Sequence, residues 1–319
     1  MSYHSHVNCP LCAAENIRPR LELDDDFKLH QCSQCGYQYV LRRPSIEELK
    51  AVYDPPPPGT FGEHSPEETR ELGILYDKLI KGAHPSAKSV LEIGCNTGFI
   101  LKGLNDMGYS VAGTDLSPTT VSYAKKYYDL DTIYLAEFPP DDKAGTFDVL
   151  IASHVIEHVL QPRAFVDQCA RFLKNDGIMI VRTPNVDSLG VRFFRGHYPV
   201  FCPPIHLNYF STSTLSKVLD NHFKVIRSET HSDWGDPRNT IFSSIVAVSH
   251  LLGVKKRLKA SAALQEADSS TSQQASTLMT SVRTFAQISE RLLGPVFALA
   301  GAAGAGENIL MIARKNAKT

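Results

Sequence analysis

The stretch from Ser89 to Asp115, SVLEIGCNTGFILKGLNDMGYSVAGTD, constrains the fold more than any other part of the chain. It runs through an apolar strand, a glycine turn, a helix, a second apolar strand and a single acid, which is half of a nucleotide-binding α/β fold. Val90, Leu91 and Ile93 form a short run suited to a buried strand. Gly94 and Gly98 bracket a turn where the backbone can approach a ligand with no Cβ in the way. Asp115 closes the next strand, 111–114, where its carboxylate can accept from both hydroxyls of a ribose. The spacing excludes a dinucleotide site. G-x-G-x-x-G puts its second glycine where a pyrophosphate reaches the helix N-terminus, whereas here Asn96 holds the central position and the glycines stand as G-x-x-x-G. A nucleoside ligand without a pyrophosphate fits this turn.

Three further segments follow in order: FDVLIASHVIEHVLQP from Phe147, a helix reaching Leu173, and KNDGIMIVRTPN from Lys174. Together with E-I-G-C-N-T-G and the strand-end T-D, they resemble the class I S-adenosylmethionine (SAM) methyltransferases over residues 81–229. The resemblance returns at ENILMIARK from Glu307. It implies an α/β fold, a doubly wound and mostly parallel seven-stranded sheet of Rossmann type with its last strand antiparallel, and SAM as the methyl donor. On that pattern Glu92, Gly94, Cys95, Asn96 and Gly98 turn beneath the amino-acid tail of SAM, and Asp115 takes the ribose. Leu116 lies against the adenine, Ala136 and Glu137 border its edge, and Ser153 with His154 stands at the end of the fourth strand.

Alternation along the chain agrees with a parallel sheet whose ligands sit at the carboxyl ends of its strands. Strands are predicted near 89–93, 111–114, 132–135, 147–153, 177–183, 223–229 and 307–313, and helices near 98–107, 117–128, 162–174 and 212–221. Ser65-Pro66-Glu67-Glu68 combines an N-cap serine, a proline at the first helical position and acids in the first turn, predicting a helix to about Lys81. A short helix is predicted over 44–53, followed by the Asp54–Gly59 break with its four prolines. The expected organisation is a zinc-ribbon-like module at 1–43, a linker with N-terminal helices at 44–80 and a SAM-binding core at 81–249. A helical insertion or cap at 250–306 and a last strand with tail at 307–319 complete it.

Cys9 and Cys12 form C-P-L-C, and Cys32 and Cys35 form C-S-Q-C-G, a spacing that belongs to four-thiolate zinc sites. Each C-x-x-C turn presents two sulfurs, and two such turns complete a tetrahedron around an ion with no geometric preference of its own. Four thiolates leave no position for water, so this zinc would be structural, folding a segment too small to hold a core unaided. Cys95, Cys169 and Cys202 read as small packing residues.

His154-Val155-Ile156-Glu157-His158 spells H-x-x-E-H, the inverted zinc-protease motif when carried on a helix. Here it follows a buried strand inside a methyltransferase pattern, which excludes a protease. The same residues resemble the divalent-cation site of small-RNA 2′-O-methyltransferases and some quinone-biosynthesis O-methyltransferases. That resemblance makes Glu157 and His158 ligands, puts His154 where an acid is usual, and brings in His206 from PPIHLNYFS. Such a second divalent cation would bind hydroxyls of a substrate and lower the pKa of the one to be methylated. Exchanging a carboxylate for imidazole moves the preference from Mg²⁺ towards Zn, Mn or Fe. Metal-free acid/base work by His158 or His206, and a purely structural role, stay open beside it. His206 and Tyr209 are the candidates from the loop for catalysis, and Arg192, Arg195 and His197 for an anionic group on the acceptor.

The 319 residues carry 33 Lys+Arg against 34 Asp+Glu, and a single tryptophan, a balance that gives nucleic-acid binding little support. No charged and apolar leader opens the sequence and no run reaches the ~18 apolar residues of a membrane span, so a cytoplasmic protein without a membrane span is expected. The expected activity is SAM-dependent O-methylation of a small-molecule hydroxyl, on a sugar or natural-product intermediate, with a homodimer as the expected assembly. Three alternatives stay open: C-methylation of a nucleotide-linked sugar, ribose methylation of RNA, and a non-catalytic zinc-ribbon interaction protein.

Overall fold

A computed structural model describes residues 4–5, 8–23, 27–45, 48, 64–231 and 299–317. Most of the predicted 44–53 helix, the proline-rich break and residues 250–298 of the predicted insertion lie outside the described residues. Among the described residues the chain forms strands β1 (His4–Ser5), β2 (Ile17–Glu22), β3 (Lys28–Cys32), β4 (Gln38–Val40) and β5 (Arg42–Arg43), then helix α1 (Pro66–Ala83). The larger unit follows as β6 (Ser89–Ile93), α2 (Phe99–Asp106), β7 (Ser110–Asp115), α3 (Pro118–Tyr128), β8 (Ile133–Leu135), β9 (Phe147–Ser153) and α4 (Pro162–Phe172). It continues through β10 (Leu173–Pro184), α5 (Leu189–Phe194), β11 (Asn208–Tyr209), α6 (Thr212–Leu219), β12 (Phe223–His231) and β13 (Asn308–Lys315).

Seven strands form one sheet in the order β12-β13-β10-β9-β6-β7-β8. β7, β6, β9 and β10 run parallel, β8 joins parallel to β7, and β13 pairs antiparallel with both β10 and β12. This is the mixed, mostly parallel sheet predicted from the alternation, with the last strand reversed. Strand order turns back between β6 and β9, so the carboxyl ends of those two strands open the crevice where ligands of such sheets bind.

The sheet is buried on both faces, which is why its strands read as near-continuous apolar runs. One face packs Val90, Val149, Ile151, Ile180 and Leu310 against Tyr76, Leu79 and Ile80 of α1 and Leu101 and Leu104 of α2. The other packs Leu91, Leu150, Met179 and Val181 against Phe165, Cys169 and Phe172 of α4 and Leu215 and Val218 of α6. α1 starts at the predicted cap: Ser65 accepts from the Glu68 N–H and the Glu68 carboxylate accepts from the Ser65 N–H. It crosses α2 at bare backbone, since a Cβ on Gly73 would lie 2.7 Å from the Gly103 carbonyl carbon.

The N-terminal strands make a second sheet, ordered β11-β4-β3-β2. Its fourth member, β11, comes from the loop after β10, with Asn208 opposite Tyr39 and Tyr209 opposite Gln38. The cysteine-bearing segment is therefore joined to the larger unit by a strand pair.

Candidate methyl-donor turn and histidine–glutamate cluster

The turn after β6 has the left-handed backbone its composition predicts, with φ of +66° at Gly94, +52° at Asn96 and +80° at Gly98. The Asp115 carboxylate holds it closed. Oδ2 accepts from the Asn96 N–H at 2.9 Å, while Oδ1 accepts from the Ser117 N–H and the Thr120 hydroxyl, each at 2.9 Å. The Cys95 N–H donates to the Thr114 carbonyl at 2.9 Å, tying the turn to β7. Three accepted bonds leave a lone pair on Oδ2 for an incoming hydroxyl.

Glu92 is 3% exposed and its Oε2 makes no hydrogen bond. Burial, and then the charge of Asp115, hold its carboxyl well above the usual carboxylate range. An unsatisfied buried oxygen beneath an open-backbone turn is what a donor-bearing ligand such as the amino-acid tail of SAM would complete. Leu116 is half-buried beside it, the Ala136 N–H donates to the Asp115 carbonyl at 3.1 Å, and the Glu137 side chain is exposed. Cys95 is buried against Gly113, where a Cβ would lie 2.8 Å from its sulfur, and burial followed by the charges of Glu92 and Asp115 raises its thiol well above normal. Its part in the turn is packing.

Val155 brings the second motif onto the first: a Cβ on Gly94 would lie 2.6 Å from Val155 Cγ2. Residues 154–158 form a turn entered through His154 at φ +55°, not a helix, so the two histidines do not share a helical face as a zinc protease requires. Glu157 is 1% exposed at its centre. Its Oε1 lies 3.1 Å from His154 Nδ1 and 3.8 Å from His158 Nε2, and its Oε2 accepts from the Thr183 hydroxyl at 3.0 Å. Burial alone would raise this carboxyl. The His154 hydrogen bond and the fields of His158, His154 and His206 outweigh it and hold Glu157 down at about 2.

The two remaining histidines are fixed by backbone carbonyls. His158 Nδ1 lies 3.0 Å from the Ile205 carbonyl and His206 Nδ1 lies 2.7 Å from the Val200 carbonyl. A carbonyl only accepts, so Nδ1 donates in both rings and Nε2 is the atom each ring has left for a ligand. Burial, and then the neighbouring His158, lower His206 to about 4. The rings stand 4.8 Å apart, centroid to centroid, inclined at 66°. Glu157, His158 and His206 each offer a ligand atom within 4.8 Å of the others. His154 is outside that group and reaches it through Glu157.

The structure corrects the expectation for Tyr209. Tyr209 does not present its hydroxyl to an acceptor: it is 2% exposed in β11, and the hydroxyl donates to the His206 carbonyl at 2.9 Å. Arg192, Arg195 and His197 are exposed at α5 and the turn after it, and no hydrogen bond or ion pair joins them to the Glu157 cluster among the described residues. Thr183 and Asn208 carry no motif, and their contacts with the Glu157 turn come from β10 and β11, distant in sequence.

At the N-terminus the four cysteines converge. Cys9 and Cys35 sulfurs are 3.6 Å apart, as are Cys12 and Cys32, and all four lie within 4.8 Å of one another. A tetrahedron with Zn–S bonds of about 2.3 Å has edges of about 3.8 Å, so this set fits a zinc ion. The Leu11 N–H donates to the Cys9 sulfur at 3.4 Å. Cys32 is brought down to about 7, against burial, by the N–H groups of Cys35 and Gln34 and by the Cys12 thiol. Gly36, at φ +81°, turns the chain out of the second pair.

Comparison with known proteins decides the family of the larger unit. The model of a family described as "Methyltransferase domain" matches residues 67–225. The chain is 34% identical over 129 residues to the ubiquinone biosynthesis O-methyltransferase of Rhodopseudomonas palustris, an alignment covering 36% of this chain and 50% of that protein. It is 33% identical over 129 residues to the protein of the same description from Bradyrhizobium diazoefficiens, with the same coverage. The chain carries a class I SAM-dependent methyltransferase domain. A solved SAM-dependent methyltransferase from Archaeoglobus fulgidus superposes on the chain with a TM-score of 0.43 and 17% identity, over 76% of this chain and 94% of that one. The chain spans about half the length of the curated relatives it matches. Among the described residues of the methyltransferase, no helix is long and apolar enough to cross a membrane.

Proposed function

We propose that the chain methylates a hydroxyl of a small molecule, with SAM on the Glu92–Gly98 turn and the acceptor at the Glu157–His158–His206 cluster. The observation that carries this reading is the convergence of Glu157, His158 and His206, whose ligand atoms lie within 4.8 Å of one another, with Nδ1 of both imidazoles held at backbone carbonyls. Glu157, His158 and His206 would hold a divalent cation, and their two-imidazole, one-carboxylate composition suits Mn, Fe, Co or Zn better than Mg. Such a cation supplies a Lewis acid that makes a bound hydroxyl a better nucleophile at neutral pH.

The chain's own residues supply alignment. Transfer from a sulfonium is an in-line displacement, accelerated mainly by holding donor and acceptor in one geometry. Contact between Val155 and Gly94 sets the donor turn against the acceptor cluster. Thr183 and His154 fix both oxygens of Glu157. The curated relatives are described as O-methyltransferases of ubiquinone biosynthesis, and this supports oxygen as the acceptor atom.

Calorimetry with SAM and with Mn²⁺ tests the two halves separately. The expected result is SAM binding by the wild type and by Glu157→Gln and His206→Ala, with Mn²⁺ binding lost in both variants. Absence of SAM binding to the pure protein would overturn the cofactor assignment. Mn²⁺ binding unchanged by both variants would place the cation elsewhere. Release of S-adenosylhomocysteine with a panel of catechols, sugars and other vicinal hydroxyl compounds would identify the acceptor class.

A further inference from the structure

The connection between the cysteine-bearing sheet and the histidine–glutamate cluster converges on Asn208. Its side chain is buried at 1% exposure and uses both ends. Oδ1 accepts from the Tyr37 hydroxyl at 2.6 Å and from Arg43 Nη2 at 2.9 Å. Nδ2 faces three carbonyls of the catalytic turn: Ile156 at 3.2 Å, Glu157 at 3.3 Å and Val159 at 2.7 Å. The backbone repeats the pattern, because the Leu207 and Asn208 N–H groups both donate to the Glu157 carbonyl, at 2.9 and 3.0 Å. Arg43 adds a bond from Nη1 to the Leu160 carbonyl at 2.7 Å.

Both partners on the other side belong to the cysteine module. Tyr37 is two residues beyond Cys35, and its carbonyl accepts from the Cys32 N–H at 2.9 Å. Its ring stacks on Tyr39 at 5.6 Å and tilts against Phe210 at 5.5 Å, so it is anchored in both units. Asn208 is itself two residues beyond His206, and Ile205 in the same loop supplies the carbonyl that orients His158. A shift of the second cysteine turn would therefore pass through Tyr37 to Asn208, and from there to the backbone of Glu157 and to the His206 loop.

From this arrangement we propose that the four-cysteine module positions the active site, with Asn208 as the positioning residue through which it sets the spacing of Glu157, His158 and His206. The inference rests on the assignment of that cluster to the acceptor side. An amide is suited to this place: a carboxylate would present acceptors to three carbonyls, and an apolar residue would leave Tyr37, Arg43 and those carbonyls unsatisfied.

The test uses the full chain with its metals bound and reads the histidines directly. The ring ¹⁵N and ¹³C resonances of His158 and His206, assigned by single substitutions, report tautomer and surroundings whether or not methyl transfer is observed. Asn208→Asp and Tyr37→Phe are compared with wild type, the second keeping the stacked ring and removing only one donor. Both are expected to shift the His158 and His206 resonances, to lower kcat by tenfold or more in Asn208→Asp and severalfold in Tyr37→Phe, and to leave the KM for SAM within twofold. If Asn208→Asp does not fold, Tyr37→Phe decides alone. Unchanged histidine resonances in a folded variant would overturn the proposal, as would losses in kcat matched by equal losses in SAM affinity. Shifted resonances in the variants, together with a wild type that transfers no methyl group, would uphold the positioning role and remove the acceptor reading beneath it.

Discussion

Asp115 shows how much a single strand-end acid does in this fold. Its carboxylate takes the Asn96 and Ser117 N–H groups and the Thr120 hydroxyl, so it builds the turn on which the proposed reading places the ribose. Asp115→Ala is therefore expected to do two things: abolish SAM binding in calorimetry, and destabilise the fold by about 2 kcal/mol, the scale of hydrogen bonds to a charged group. A melting temperature equal to wild type would contradict the second role. Asp148 is a purely structural counterpart at the other end of the sheet. It accepts from the Lys88 and Ser89 N–H groups, the Ser89 hydroxyl and Lys174 Nζ, at 2.8 to 3.0 Å. Burial would raise its carboxyl, but Lys174 and the Lys88 and Ser89 donors outweigh that and hold it far below the usual range. Because the folded pKa is the lower one, its contribution is fully present above the unfolded value of about 3.9 and is lost as pH falls from there. Asp148→Asn should lower stability at pH 7 and flatten the acid limb of a melting temperature against pH curve below about pH 4.

At the scale of elements, α1 and α2 are held together by what they lack. A Cβ on Gly103 would lie 2.5 Å from the Thr69 carbonyl oxygen and 2.8 Å from Gly73 Cα, so the helices touch backbone to backbone. Gly103→Ala must push them apart, at a cost of about 1–3 kcal/mol for overpacking, and thermal denaturation measures it. The strands and most helices of the methyltransferase domain were legible because period and punctuation are local: Ser65-Pro66 capped α1, and the Val90–Ile93 run gave β6. Residues 154–158 spell H-x-x-E-H, which would suit a helical face, but their place after a buried strand argues against a helix, and the structure has a turn there. The chain leaves β9 through a left-handed His154 and turns instead, because Glu157 is drawn inward by Thr183 and the backbone of 207–208.

For the whole molecule, the pairing of β11 with β4 changes what loss of a metal from the four cysteines should do. A free-standing module would be shed while the rest of the chain kept its structure. Here Cys32→Ser, which leaves the Glu157–His158–His206 ligands untouched, is expected to lower the main melting transition and to disturb the histidine resonances together. Metal analysis of the wild type should give one zinc per chain, bound by four thiolates. Two independent transitions in calorimetry would show the sheets to be uncoupled. Read alone, the sequence predicts a mostly parallel sheet, a glycine turn followed by Asp115, and two paired cysteine turns, because strand period, turn glycines and C-x-x-C pairs are local spacings. The folded structure alone reveals which groups surround Glu157, that the Tyr209 hydroxyl is bonded to the His206 carbonyl, and that Asn208 joins two units. The bonds from Tyr37 to Asn208, from Asn208 to the Glu157 carbonyl and from Thr183 to Glu157 span 26 to 171 positions, so no local spacing records them.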